Sequence, residues 1–170
     1  VPVGLVGILY GDALESLFDS PTFICAMLLM TGMILLSLVL VRPDSNRPLS
    51  LRSAIYIGLA QAMAIFPGVS RSGTTITAAR HLGLSPKTAA EFSLLLMLPA
   101  IGGATLMSVG DVIRDGTGGL SLTELGLAFS VSAAVGYGAI ILMVRALTKG
   151  VFKWFGVYCL ITGFVGMLLI

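Results

Sequence analysis

Long apolar stretches alternate with short charged segments along this chain of 170 residues. Four stretches approach the length of about 20 residues that a helix needs to cross a bilayer, and they cover residues 21–41, 88–110, 125–144 and 154–170. A shorter apolar run, residues 1–10, has no basic region before it and so does not fit a signal peptide. We expect that run to be the second half of a truncated helix. The pattern predicts an all-α polytopic membrane protein.

The charged segments between these stretches alternate in sign. Residues 11–20 hold three acidic residues and no basic one, and residues 111–124 hold three acids and one arginine. Residues 42–52 and 145–153 hold three basic residues each. Because cytoplasmic loops are enriched in Lys and Arg, we predict that the two basic segments face the cytoplasm and the two acidic segments face the exterior.

Residues 54–82 depart from this pattern, since they contain two runs that are each too short to cross. The first run, residues 54–66, would be only about 20 Å long as a helix, and Pro67-Gly68 ends it. One interpretation is a single broken spanning helix, and the other is a re-entrant hairpin that enters and leaves on one side. We favour the hairpin, because the residues flanking it are basic at both ends. Irregular backbone at membrane depth requires burial in protein or a water-filled cavity, so the tip predicts a cavity.

The chain therefore divides into three parts. Residues 1–53 hold the truncated helix, an outer loop, the first full transmembrane helix and a basic cytoplasmic loop. Residues 54–83 form the hairpin, and residues 84–170 form three transmembrane helices. Ser85 and Pro86 predict the N-cap and first position of the helix that follows the hairpin.

Composition narrows the class of protein. Apolar residues make up 56% of the chain, charged residues 11%, and the mean hydropathy is +1.03, which excludes a soluble globular domain and a disordered chain. A net charge of +2 does not indicate a nucleic-acid partner. Cys25 and Cys159 lie in apolar stretches, and His81 is the single histidine, so the chain predicts no disulfide framework and no metal site of its own. The glycines of residues 156–166 predict close helix contacts.

The tip of the hairpin, Pro-Gly-Val-Ser-Arg-Ser-Gly-Thr-Thr at residues 67–75, precedes the second short helix. A helix N-terminus attracts anions, and two glycines permit a nest of backbone N–H groups. An arginine fork matches phosphate oxygens, and an arginine within a membrane protein is a functional hypothesis by default. We therefore predict a phosphate or diphosphate site. Its candidate residues are Gly68, Ser70, Arg71, Ser72, Gly73 and Thr75.

Two familiar phosphate motifs do not fit this tip. Gly68 and Gly73 have the glycine spacing of a Walker A loop, but Thr74 stands at the lysine position and no strand precedes the run. The Ser-Arg and His pattern of the membrane-lipid acid phosphatases has a shorter spacing than the nine residues between Arg71 and His81.

Structural alternatives stay open for several residues. The alternative for Arg71 is a structural cation that fixes the hairpin by bonding backbone carbonyls. The alternative for Ser72 is a residue that only forms the turn. Lys87 and Glu91 are an i,i+4 pair that predicts an ion pair near the membrane surface, and a buried partner for Arg71 is the alternative for Glu91. His81, at the far end of the second short helix, is expected at the interface rather than in catalysis.

Residues 61–73, Gln-Ala-Met-Ala-Ile-Phe-Pro-Gly-Val-Ser-Arg-Ser-Gly, and residues 89–93, Ala-Ala-Glu-Phe-Ser, resemble the undecaprenyl-pyrophosphate phosphatase or bacitracin-resistance family. The likeness covers essentially the whole chain. It implies a multi-pass hydrolase of the bacterial inner membrane that converts undecaprenyl diphosphate to the monophosphate carrier for peptidoglycan synthesis. It also implies two inverted repeats, each with a re-entrant hairpin whose tip opens to the periplasm.

The same family has a glutamate-rich motif followed by Pro-Val-Ser-Ser-Thr-Gly-His, and nothing in this chain matches it. The resemblance implies that this missing part supplies a serine nucleophile, its histidine and the ligands of a divalent cation such as Mg²⁺ or Ca²⁺. Arg71 would then grip the diphosphate, Ser70 and Thr75 would bond its oxygens, and Gly73 would let the backbone approach. Arg71 and Ser70 are thus the catalytic candidates, and we expect the chain alone to be inactive unless a complementing N-terminal half is present.

Two further functions compete with the hydrolase. A lipid-phosphate transporter or flippase would bind the headgroup without cleaving it, and inverted repeats suit alternating access. A purely structural membrane subunit is disfavoured by the polar tip. The expected partners are a polyprenyl diphosphate lipid and the bilayer, and the oligomeric state, a homodimer included, is left open.

Overall fold

The computed structural model describes residues 17–42, 46–116, 119 and 121–170, and it is all-helical there, without strands. The truncated helix expected in residues 1–10 lies outside the described residues. A 3-10 helix, Ser37–Leu40, directly continues the α-helix Pro21–Leu36. The α-helices with both ends described are α1 (Pro21–Leu36), α2 (Leu51–Met63), α3 (Arg71–His81), α4 (Pro86–Asp115), α5 (Leu122–Thr148) and α6 (Lys153–Leu169).

Three segments of the described chain are long and apolar enough to cross a membrane. They are Pro21–Leu40 with 20 residues, Pro86–Arg114 with 29 and Leu122–Thr148 with 27. The prediction of an all-α polytopic membrane protein is confirmed. The fourth predicted stretch corresponds to α6, which has 17 residues and stands at the short end of the range for a span.

Helices α4 and α5 extend beyond their apolar stretches at both ends, and polar caps fix where they start. Ser85 accepts a hydrogen bond from the Thr88 N–H at 3.1 Å, and Pro86 is the first helical residue, as predicted. Ser121 and Glu124 form a reciprocal capping box at the start of α5, which satisfies donors that the helix leaves unpaired.

Glycines bring α1 and α6 together at close range. A Cβ atom on Gly32 would lie 2.8 Å from the Gly156 carbonyl oxygen, and one on Gly163 would lie 3.0 Å from the Cys25 carbonyl oxygen. Larger residues at these positions would push the helices apart. The predicted close contacts of residues 156–166 are therefore confirmed, and Cys159 is buried nearby.

Helices α2 and α3 form a hairpin. Residues 64–70 between them are non-helical, so a continuous helix through the tip is excluded. The Arg47 N–H, just before α2, donates to the Gly83 carbonyl oxygen, just after α3, at 2.8 Å. The chain thus returns to the end where it started, and Gly83 makes the exit turn with φ +90°. That this hairpin enters a membrane and leaves by the same face stays a prediction.

Helix α3 lies at the centre of the packing and contacts α1, α2 and α4. Two of its buried hydroxyls have backbone acceptors: the Thr74 hydroxyl donates to the Ser70 carbonyl oxygen at 2.8 Å and the Thr75 hydroxyl to the Arg71 carbonyl oxygen at 3.0 Å. Such bonds offset the cost of burying a polar group. The Thr77 hydroxyl is buried without a partner among the described residues. The apolar residues that surround α3 or belong to its buried face include Leu35, Ile57, Ile76, Ala79, Leu84 and Ala89.

Candidate phosphate-binding site at the hairpin tip

The tip of the hairpin is held against α1 by one threonine. The Thr31 hydroxyl donates to the Gly68 carbonyl oxygen at 2.9 Å and accepts from the Ser70 N–H at 3.0 Å. Thr31 is only 1% exposed and stands near the middle of the candidate span Pro21–Leu40. The tip therefore lies well inside the length of a membrane-crossing segment.

Gly68 is required where the tip meets α1. Its φ angle is +91°, a backbone conformation that residues with a Cβ atom rarely adopt. A Cβ atom there would lie 2.5 Å from the Ile24 carbonyl oxygen and 2.9 Å from the Met27 Cβ. Both the backbone angle and the space exclude a larger residue.

Ser70 starts α3 and shapes its N-terminus. Its side-chain oxygen accepts from the Gly73 N–H at 3.1 Å, and its carbonyl oxygen accepts from the Thr74 N–H at 2.9 Å. The first N–H groups of a helix have no intrahelical acceptor, and within the described chain those of Arg71 and Ser72 have no partner. These two donors, at the positive end of the helix dipole, suit an anion.

Arg71 is exposed at this N-terminus and lines a cavity of about 440 Å³. No hydrogen bond joins its guanidinium to a backbone carbonyl among the residues that the structure describes, which argues against the structural-cation alternative. The opposite wall belongs to the second half of α4 and is mostly apolar, with two hydroxyls. Its residues are Ala100, Ile101, Ala104, Thr105, Ser108, Val109, Val112 and Ile113.

Thr75 points into the protein rather than to the surface of the tip. It is 2% exposed, and its Oγ1 lies 2.6 Å from the Ser93 Oγ and 3.0 Å from the Arg71 carbonyl oxygen. Thr75 therefore ties α3 to α4 directly below Arg71. Direct contact between Thr75 and a phosphate stays a prediction.

The two remaining candidates have partners other than Arg71. Glu91 pairs with Lys87 at 3.8 Å, and both side chains are exposed, so the ion-pair interpretation is the one that the structure supports. The His81 Nε2 atom lies 2.9 Å from the Ser37 Oγ. This contact is at the end of α3 opposite to Arg71, as expected for a residue outside the site.

Sequence reasoning missed the residues that support the tip from other helices. Thr31 carries a hydroxyl in the middle of an apolar helix, and this is the one feature of the local sequence that could have indicated a role for it. Ser93 belongs to a stretch already noticed, but its contact with Thr75 depends on how two helices pack. Gln61, also buried, donates from Nε2 to the Leu96 carbonyl oxygen at 3.5 Å.

The described part of the chain contains no group of three His, Cys, Asp or Glu side chains that could hold a metal ion. The hydroxyls and the arginine at the tip are poor candidates for metal ligands, so these residues do not fit a divalent cation by themselves.

The fold and the tip define a polytopic α-helical membrane protein in which a polar hairpin presents an arginine to an apolar-walled cavity. Residues 1–165 match the family model described as bacitracin resistance protein BacA. The chain belongs to this family, and the resemblance found in the sequence is confirmed.

The chain is also similar to curated proteins named undecaprenyl-diphosphatase. One from Salinibacter ruber is 36% identical over 170 residues, which is 100% of this chain and 62% of that protein. One from Geobacter metallireducens is 39% identical over 172 residues, or 99% of this chain and 64% of that protein. The chain thus spans less than two thirds of the length of these relatives.

Proposed function

We propose that this chain contributes the anion-binding half of a site that hydrolyses undecaprenyl diphosphate to undecaprenyl phosphate and inorganic phosphate. The observation that carries the proposal is the position of Arg71, exposed at the N-terminus of α3 and facing the cavity of about 440 Å³. The names of the relatives from Salinibacter ruber and Geobacter metallireducens support the substrate and the reaction.

The groups at the tip match a lipid diphosphate in chemistry. The Arg71 guanidinium offers a planar fork for two phosphate oxygens, and the N–H groups of Arg71 and Ser72 offer two more donors. The Ser70 oxygen already accepts from Gly73, but a hydroxyl keeps one proton to donate, so Ser70 can bond a phosphate oxygen without losing its cap. The apolar wall of α4 suits the prenyl chain.

These donors act on the charge of the reaction. Hydrolysis of the anhydride adds water and breaks one P–O bond between the two phosphorus atoms, and negative charge spreads over the oxygens of the transferred group. Phosphoryl transfer depends mainly on positioning and on electrostatic stabilisation. Arg71 and the α3 N-terminus hold those oxygens and stabilise their charge. Gly73 is buried, and the space that a Cβ atom would take there belongs to Ser70 and Leu35, so its part is to let the Ser70 side chain cap the helix. In this proposal the nucleophile and most ligands of a divalent cation come from the part of the relatives that this chain does not span.

The proposed location is the bacterial inner membrane, with the hairpin re-entrant and the cavity open to the exterior. The hydrogen bond between Arg47 and Gly83 supports this orientation, because it joins the basic segment before the hairpin to the residue that follows it. Basic segments favour the cytoplasm. The tip, at the opposite end of the hairpin, then points towards the exterior.

The test replaces Arg71 in the intact protein, which here means this chain together with the N-terminal half that it is proposed to need. The protein is purified from membranes, and the release of phosphate from a prenyl diphosphate is measured. One donor removed from a preorganised site costs about 100-fold to 1,000-fold in rate, so Arg71→Ala should lose at least about 100-fold. Arg71→Lys should recover part of the activity, since the charge remains without the fork. Ser72→Ala is the matched control on the next residue and should lose less.

Equal melting temperatures for the variants and the wild type are the condition for this comparison. A well-folded Arg71→Ala protein with near-normal turnover would reject the proposed role of Arg71. Wild-type protein that binds the diphosphate but releases no phosphate would favour the transporter. The chain of 170 residues alone should be inactive, and it should regain activity when a complementing N-terminal half is co-expressed.

A further inference from the structure

A pair of buried hydroxyls joins α3 to α4 beneath the hairpin tip. The Thr75 Oγ1 and the Ser93 Oγ are 2.6 Å apart, and each residue is 2% exposed. The Thr75 Oγ1 also lies 3.0 Å from the Arg71 carbonyl oxygen and 3.3 Å from the Ser72 carbonyl oxygen. Because the proposed anion donors belong to Arg71 and Ser72, this pair contacts the backbone that carries them.

The protons of the two hydroxyls have one consistent arrangement. A hydroxyl has one proton to donate and two lone pairs to accept, whereas a carbonyl oxygen only accepts. The Thr75 proton is therefore directed to the Arg71 carbonyl oxygen, the nearer of its two backbone acceptors. The Ser93 hydroxyl must then donate to the Thr75 Oγ1, because the Thr75 proton is already in use. The result is a chain of two hydrogen bonds that runs from α4 to the Arg71 backbone.

The bond to the Arg71 carbonyl fixes the direction of the N–H group beside it. The Arg71 carbonyl and the Ser72 N–H belong to one peptide unit, which is planar and trans, so the two groups point in opposite directions. The carbonyl points along α3 towards Thr75. The Ser72 N–H then points out of the N-terminus of the helix, where it has no partner in the described part of the chain and suits an anion.

The same contacts leave Thr75 without a proton for a phosphate oxygen, and its burial closes it to a ligand at the surface of the tip. Ser93, for its part, lies about two helical turns before Ala100, where the apolar wall of the cavity at Arg71 begins. The pair of hydroxyls thus fixes the first turn of α3 relative to that wall.

We infer that Thr75 and Ser93 are positioning residues for the diphosphate site and that neither contacts the substrate. This role rests on the proposed function, in which Arg71 and the Ser72 N–H hold the diphosphate oxygens. The family resemblance implies that Thr75 bonds those oxygens directly. Here Thr75 acts through the Arg71 backbone, and Ser93 acts through Thr75.

A double-mutant cycle in the intact protein tests these roles. The measurement is kcat/KM for phosphate release from a prenyl diphosphate, below the melting transition of every variant. Ser93→Ala should lower kcat/KM about fivefold, the factor that corresponds to one hydrogen bond of typical strength, and Thr75→Val should lower it at least as much. The double variant should lose no more than Thr75→Val alone, because residues that act through one another are not additive. Thr75→Ser keeps the hydroxyl and should retain most of the activity.

Ser85→Ala is the matched control for a merely structural role. Ser85 caps the same helix, α4, at its N-terminus, so the same chemical change destabilises that helix without removing a contact of the tip. Its melting temperature should fall while its kcat/KM stays at the wild-type value. The affinity for a prenyl methylenediphosphonate, in which carbon replaces the bridging oxygen and prevents hydrolysis, is measured for all variants and should follow the same order as kcat/KM.

Three results would overturn the positioning role. A loss of about 100-fold in Thr75→Val with a wild-type value in Ser93→Ala would assign Thr75 to direct phosphate contact. Equal kcat/KM in Ser93→Ala and Ser85→Ala would leave Ser93 a structural role only, and losses that multiply in the double variant would show that the two hydroxyls act independently. A wild-type protein that releases no phosphate, but whose variants bind the diphosphonate in the expected order, would refute the hydrolase and support the positioning role, so the two failures are distinguishable.

Discussion

Replacing Gly68 with alanine tests how closely the hairpin tip must pack on α1. Two costs act on the new methyl group. The φ angle of +91° is strained for a residue with a Cβ atom, and the methyl carbon would come within 2.5 Å of the Ile24 carbonyl oxygen. The tip must therefore move away from α1, which also lengthens the hydrogen bonds to Thr31.

The expected loss of stability follows from these two costs. A left-handed backbone costs an L-residue about 1–2 kcal/mol, and overpacking costs about 1–3 kcal/mol, so Gly68→Ala should lose about 2–5 kcal/mol in total. For a chain of this size each kcal/mol lowers the melting temperature by about 2–4 °C. The melting temperature should therefore fall by at least about 4 °C.

Gly58→Ala is the matched control on the same hairpin. Gly58 lies within α2, and a Cβ atom there would meet nothing within 4 Å. Alanine favours a helix interior over glycine by about 0.5–1 kcal/mol, so this variant should be as stable as the wild type or slightly more stable.

Melting is followed by circular dichroism on the intact protein in detergent, and phosphate release from a prenyl diphosphate is measured below the transition. Gly68→Ala should lose activity as well as stability, because displacement of the tip also displaces Arg71. If Gly68→Ala melts within about 1 °C of Gly58→Ala, the close packing of the tip on α1 is refuted.

Three further predictions follow from the packing and the topology. Thr31→Val removes both hydrogen bonds to the tip and deprives the part-buried Gly68 carbonyl and Ser70 N–H of this partner, which should cost about 1–3 kcal/mol; an unchanged melting temperature would contradict this role. Ser93→Ala removes the partner of Thr75 and should cost about 0.5–1.5 kcal/mol with a modest loss of turnover, whereas a loss as large as that of the arginine variant would assign Ser93 to the reaction itself. In a cysteine-free background, an impermeant thiol reagent added to intact cells should label Leu122→Cys but spare Asn46→Cys, and equal labelling would reject the topology.

The local sequence was sufficient for most of the helices, for the break between α2 and α3 and for the family, whereas the phosphate-binding role of the tip stays a prediction. Apolar length predicts the spans, and Ser85-Pro86 predicts the start of α4, because both depend on neighbouring residues alone. The run at residues 67–73 identified the family. The break at Pro67-Gly68 likewise predicts two helices in place of one, since proline lacks the N–H that a helix interior requires.

Only the tertiary structure decided which distant residues support the tip. Nothing near Thr31 in the chain indicates that its hydroxyl bonds Gly68 and Ser70, and nothing near Thr75 indicates Ser93 as its neighbour. These contacts depend on how the helices pack. When a helix is apolar on several faces, its hydrophobic pattern does not specify which face meets a neighbour.

The burial of α3 and the position of Arg80 likewise depend on how the helices pack and could not be obtained from the local sequence. Helix α3 is polar in sequence, yet it lies at the centre of the packing, where the Thr74 and Thr75 hydroxyls donate to backbone carbonyl oxygens. The sequence by itself determined the apolar segments, the signs of the charged segments between them and the polar run that breaks the hairpin and marks the family, since these depend on short-range chemistry. The tertiary structure decided which face of each helix meets another, and so it alone set Arg71 against α4 and buried Arg80 where three spans end.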